Sequence, residues 1–255
     1  MSALSDTTDF NISDTTRITT SVSAGTIRRA DIAYVIDCTN TMDGHVSEGN
    51  IPLISAVKTA LRDLIGFYEK KEIDIRLALT EFRDRKHTKD WDYHRLELLK
   101  HYEWSESRFT DDLAAFLESM EGLKAAGGGP KDESILDALV TTAEGSDWGE
   151  GSTKIIVLFT DAAPRRSDEE VKTEREGIRR LQACSIDQIH LCINNSAHRE
   201  RYAIFSEILT PDCIVIMCAG IKKQLGDDLN TFTDNISIIR NFSKAVLRSH
   251  PQRIV

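Results

Sequence analysis

Apolar positions recur along this chain in two alternating rhythms. Ile32, Ala33, Tyr34, Val35 and Ile36 form an unbroken run between Asp31 and Asp37. Such a run predicts a strand buried on both faces, as in a parallel sheet. Leu53, Val57, Leu61, Leu64 and Tyr68 follow at helical spacing, and Pro52 suits the first turn, where a missing N–H leaves nothing unpaired. Over 73–82 the apolar residues alternate (Ile73, Ile75, Leu77, Leu79), which predicts a half-buried strand. The charged and aromatic stretch 83–105 reads as a loop with an edge strand near 96–102. Thr110, Asp111 and Asp112 open a helix carrying Leu113, Phe116, Leu117 and Met120.

Gly127, Gly128, Gly129 and Pro130 break the chain before a short helix with Ile135, Leu136, Leu139 and Val140. A second unbroken run, 155–159, ends at Thr160 and Asp161. Ser167 and Glu170 have capping-box spacing for a helix with Val171, Ile178 and Leu181. Strands over 189–193 and 213–218 flank a helix near 199–209, and a last helix over 234–248 carries Ile236, Ile239, Phe242 and Val246. The alternation predicts an α/β fold: a doubly wound, mostly parallel sheet flanked by helices. Residues 1–28, rich in Thr and Ser, read as a loose or partly docked leader, and 29–255 as one domain.

Charge and composition narrow the partners. Lys and Arg total 32 against 41 Asp and Glu, a net charge of −9, so phosphate neutralisation offers this chain nothing and nucleic acid is excluded as its main partner. No stretch approaches the ~20 apolar residues of a membrane span, and the first 17 residues have no apolar core of the secretory kind. Five cysteines, an odd number lying mostly in or near predicted strands, suit free thiols in a reducing cytosol. A cytoplasmic location is the resulting expectation; no pattern specifies an oligomeric state.

Candidate chemistry gathers where the two apolar runs end. Asp37, Thr39 and Thr41 would lie in the loop at the carboxyl end of the first strand, where open α/β sheets hold ligands. One carboxylate and two hydroxyls suit a hard cation such as Mg²⁺, with Mn²⁺ or Ca²⁺ as alternatives. The run resembles the Asp-x-Ser-x-Ser metal motif of von Willebrand factor type A domains, with Thr at both Ser positions, and Asp161 at the end of the second run strengthens the likeness. The resemblance implies a Rossmann-like sheet with its first and fourth strands adjacent, so that Asp37 and Asp161 flank one crevice. It also implies that the hydroxyls of Thr39 and Thr41 touch the ion while the carboxylates act largely through water. An Asp or Glu of a protein partner then completes the shell.

The third family element lies before the third helix, where related branches read Gly-Gly-Gly-Asp-x-Pro-Glu. Here Pro130 takes the acidic place, so the resemblance puts Asp132 in the metal set from a shifted loop and leaves Glu133 to a helix N-terminus. Asn40 stands where Gly is common, and 43–50 reads as extra length that could narrow the site.

The resemblance implies a non-catalytic protein-interaction module working through Mg²⁺ in a cytoplasmic stress, defence or signalling assembly. No Gly-x-Ser-x-Gly, His-Glu-x-x-His or P-loop is present. Two alternatives stand beside it: a metal-independent scaffold with a vestigial site, and a phosphoryl hydrolase of haloacid-dehalogenase type, whose Asp-x-Asp-x-Thr motif would have lost its acid–base Asp to Thr39. Arg83 and Asp84 read as an ion pair tying down a loop, Arg165 and Arg166 as a rim that could steer an acidic partner, and His87, His94 and His101 as solvated surface.

Overall fold

A computed structural model describes residues 29–44, 51–70, 74–86, 97–128, 132–193, 196–208 and 214–219. The expected leader and the helix over 234–248 lie outside the described residues. The strand β1 (Ala30–Asp37) is buried at every position and pairs in parallel with β2 (Ile75–Phe82) on one side and β5 (Thr153–Thr160) on the other. Outside β2 lies β3 (Leu99–His101), antiparallel; outside β5 lie β7 (Gln188–Ile193) and β8 (Ile214–Ala219), both parallel. The sheet order is therefore β3-β2-β1-β5-β7-β8. A second patch joins β4 (Asp132–Glu133) to β6 (Ala163–Pro164) in parallel.

Because successive side chains on β1 point to opposite faces, each face needs its own cover. Ile32, Tyr34 and Ile36 pack with Leu61, Leu64, Ile65 and Tyr68 of α1 (Leu53–Lys70) and with Phe116 and Met120 of α2 (Leu113–Glu121). Ala33 and Val35 face the other way, against Leu136, Leu139 and Val140 of α3 (Ile135–Gly145) and Ile178 and Leu181 of α4 (Glu174–Ala183). Tyr202 and Phe205, from a 3-10 segment (Ser196–Ile208), complete that face where an α-helix was expected. No helix among the described residues is long and apolar enough to cross a membrane.

Helix starts follow side-chain acceptors. Asp112 caps α2 by accepting from the N–H groups of Ala114 and Ala115. The expected Ser167–Glu170 box does not start α4. The helix begins after Thr173, whose hydroxyl accepts from the Glu176 N–H. The physical reason is a competing acceptor: the buried Asp137 carboxylate takes the N–H groups of Glu170 and Val171 and holds that stretch as a loop.

Candidate metal centre

Strand register brings the expected residues together. Ile36 pairs with Phe159, so Asp37 ends β1 beside Thr160, with Asp161 one residue further out. Asp37 is 0% exposed. Its Oδ2 accepts from the Thr160 hydroxyl at 2.6 Å, and its Oδ1 accepts from both the N–H (2.9 Å) and the hydroxyl (2.7 Å) of Thr39. Thr160 in turn accepts from the Ala162 N–H, and the Ala162 carbonyl accepts from the buried Tyr202 hydroxyl at 2.7 Å. Burial drives the Asp37 carboxyl up to about 6; the charge of Asp161 adds to this, and the bonds from Thr160 and Thr39 oppose it.

Four oxygens form a chain of successive contacts from Asp37 to Asp161. Asp37 Oδ1 to Thr39 Oγ1 is 2.7 Å, Thr39 Oγ1 to Thr41 Oγ1 is 3.0 Å, and Thr41 Oγ1 to Asp161 Oδ1 is 2.9 Å. These are three contacts between oxygens, but the two hydroxyls supply only two protons. With both carboxylates ionised and each hydroxyl donating to its own carboxylate, the two threonine oxygens face each other with lone pairs alone. A cation seated against both oxygens would relieve that opposition. Adjacent corners of an octahedron with ~2.0–2.1 Å bonds lie ~2.9 Å apart, which suits the separation found here. Among the described residues no group of three or more His, Cys, Asp or Glu is placed to hold a metal, so a cation here depends on the hydroxyls of Thr39 and Thr41.

The third element divides. The Asp132 carboxylate stands 3.5 Å from Arg201, which also reaches Glu174. Glu133, buried, turns toward the glycine loop: its Oε1 is 3.4 Å from where a Cβ on Gly128 would lie, and Thr39 Cβ is 2.8 Å from the same point. Pro130 lies outside the described residues.

Arg83 and Asp84 hold structure, but not as the expected ion pair with each other, because each has a nearer partner elsewhere. The buried Arg83 guanidinium donates to the carbonyls of Glu97, Lys124 and Ala126, and Asp84 pairs with Arg165 at 2.5 Å. Arg165 is thus committed inward, while Arg166 is exposed. His101 corrects its expectation as solvated surface. It is half-buried against Thr80 at 2.9 Å, and burial lowers it to about 4, because the edge strand carrying it is covered. His87 and His94 lie outside the described residues. Sequence reasoning missed Thr160 and Tyr202; the hydroxyl immediately before Asp161 was the available signal for the first, and only the register could reveal the second.

No family model and no curated protein matches the sequence. Solved structures do. The SpRpn10 VWA domain aligns over 77% of this chain and 93% of its own, at 14% identity and a TM-score of 0.49. The PilB minor pilin from Streptococcus sanguinis aligns over 86% of this chain and 63% of its own, at 13% identity and a TM-score of 0.53. Likeness at these identities speaks to fold alone.

Proposed function

From the premise that the chain has a von Willebrand factor type A-like fold, we propose that it is a non-catalytic protein-interaction module that engages a partner through a divalent cation, Mg²⁺ by preference. The observation that carries this reading is the chain of four oxygens with three contacts and two protons. Bound there, the ion would supply positive charge and open coordination positions for a carboxylate of the partner. Thr39 and Thr41 would hold it directly. Asp37 and Asp161 would orient the hydroxyls by accepting their protons, and Thr160 would keep Asp37 in place. Asp132, paired with Arg201, would reach the ion only by giving up that partner.

Phosphoryl transfer is disfavoured by geometry. A nucleophilic Asp37 must reach phosphorus, yet it is wholly buried with both oxygens bonded to neighbouring residues. A metal-independent scaffold is the second reading, favoured by the near-complete burial of Thr39. A reducing, cytoplasmic assembly is the setting that the free thiols Cys38, Cys184 and Cys192 would suit.

Thermal unfolding in EDTA and in excess Mg²⁺, on wild type and Asp37→Ala, tests the reading. Ligand at ~100 times its Kd stabilises by about 2.7 kcal/mol, or roughly 5–11 °C for a domain of this size. A shift of that order confined to wild type supports the cation site; no shift in either protein leaves the scaffold.

A further inference from the structure

One exposed side chain adds a tie to the loop that covers the centre. Asn40 stands between the two threonines. Its Oδ1 accepts from the Gly127 N–H at 3.1 Å, and its own N–H donates to the Gly127 carbonyl at 2.5 Å. The residue behind is anchored independently: the Ala126 N–H donates to the Cys38 carbonyl, and the Ala126 carbonyl accepts from Arg83 Nε, each at 2.9 Å.

Just beyond, Gly128 (φ +115°) lies so near Thr39 that a Cβ there would stand 2.8 Å from Thr39 Cβ and 3.0 Å from Cγ2. Only glycine fits that approach at that φ. Thr39 is 1% exposed beneath it, whereas Thr41 is exposed and Asp161 partly so. Of the two hydroxyls a cation needs, one is open and the other is roofed.

We infer that Asn40 is a strap that holds the 127–128 turn shut over Thr39, and that the cation site opens fully only when this side-chain bond is released. The inference rests on the cation reading above. In the closed state an ion meets Thr41 and Asp161 first, so a partner's carboxylate approaches from that side. A partner that takes over the exposed Asn40 amide opens the site as it docks. Asn40 thus couples partner contact to cation affinity without touching the ion.

Two measurements on Asn40→Ala test this: hydrogen exchange at the Gly127 amide in EDTA, and Mg²⁺ titration by calorimetry. Asn40 is exposed, so the variant should fold. Gly127 should exchange about fivefold faster and the Mg²⁺ Kd should fall about fivefold, the change expected when one ordinary hydrogen bond is lost from the closed state. Gly128→Ala, which forces the turn off Thr39 by a different route, should tighten Mg²⁺ binding as well. Faster exchange with unchanged or weaker Mg²⁺ binding overturns the gate. Unchanged exchange overturns the strap. If neither wild type nor the variants bind Mg²⁺, the cation reading itself fails and the gate with it, while faster exchange would still mark Asn40 as a lock on the loop.

Discussion

One strand carries two buried aspartates with opposite surroundings. Asp31, near the start of β1, and Asp37, at its end, are each 0% exposed. Asp31 meets a bidentate Arg76 at 2.9 and 2.7 Å, together with the Gly149 N–H and the Ser152 hydroxyl. Burial pushes its carboxyl up, but those partners outweigh burial and hold it below the usual range. Asp37 has three donors, all neutral, and among the described residues no salt bridge reaches it. Its carboxyl is pushed up instead, to about 6. A buried carboxylate is stable when a counter-charge comes with the fold. At the lower end of β1 the fold provides one; at the upper end it provides only neutral donors, and under the cation reading the charge would come from outside.

The largest expected effect is at the lower end. Asp31→Asn takes from Arg76 its close bidentate partner, leaving it only the Asp147 carboxylate at 3.8 Å, and should cost about 3 kcal/mol in urea-induced unfolding. A cost below about 1 kcal/mol would erase the contrast between the two ends. Acid should also strike at a third buried group, His190, which burial lowers to about 3. A depressed folded pKa means the unfolded chain takes up the proton first, so this contribution is intact above ~6.5 and is lost as pH falls toward the folded value. Between pH 7.5 and 5.5 wild type should lose about 1.4 kcal/mol on this account, and His190→Gln should remove that part of the slope. If the two profiles coincide, the acid sensitivity belongs elsewhere.

Thr173→Ala removes the cap that starts α4 and should cost about 1 kcal/mol, with no change in Mg²⁺ response. The smallest effect is the most telling. In EDTA, Asp37→Asn should lie within about 1 kcal/mol of wild type, because losing one bond to Thr160 is offset by no longer burying an unpaired charge. The Mg²⁺-dependent rise in Tm should vanish in the same variant. A loss as large as that of Asp31→Asn would mean that Asp37 is structural.

The two unbroken apolar runs made β1 and β5 legible, because a strand covered on both faces has no room for polar residues. The ends of those runs then placed Asp37, Thr39, Thr41 and Asp161 correctly relative to the strands. What stayed hidden depends on distant partners. Ser167 and Glu170 had local capping spacing, yet Asp137, more than thirty residues earlier, claimed the backbone they needed. His101 looked like surface because its strand is short and charged, and only its docking onto Thr80 buries it. Asn40 was visible as a departure from the motif, but its bond to Gly127 spans 87 residues.

The candidate centre is closed by groups far apart along the chain: Thr41 and Asp161 are 120 residues apart, Asp37 and Thr160 are 123. Loop closure over such a span must be complete before any reward from the contact arrives, which makes it a slow, late event in folding. No fragment ending before β5 contains the centre. A cation bound there could therefore neither nucleate folding nor rescue a partly made chain. It would act on the folded sheet, slowing unfolding rather than speeding assembly, and a partner reading the ion would read only molecules in which β1 and β5 are already paired.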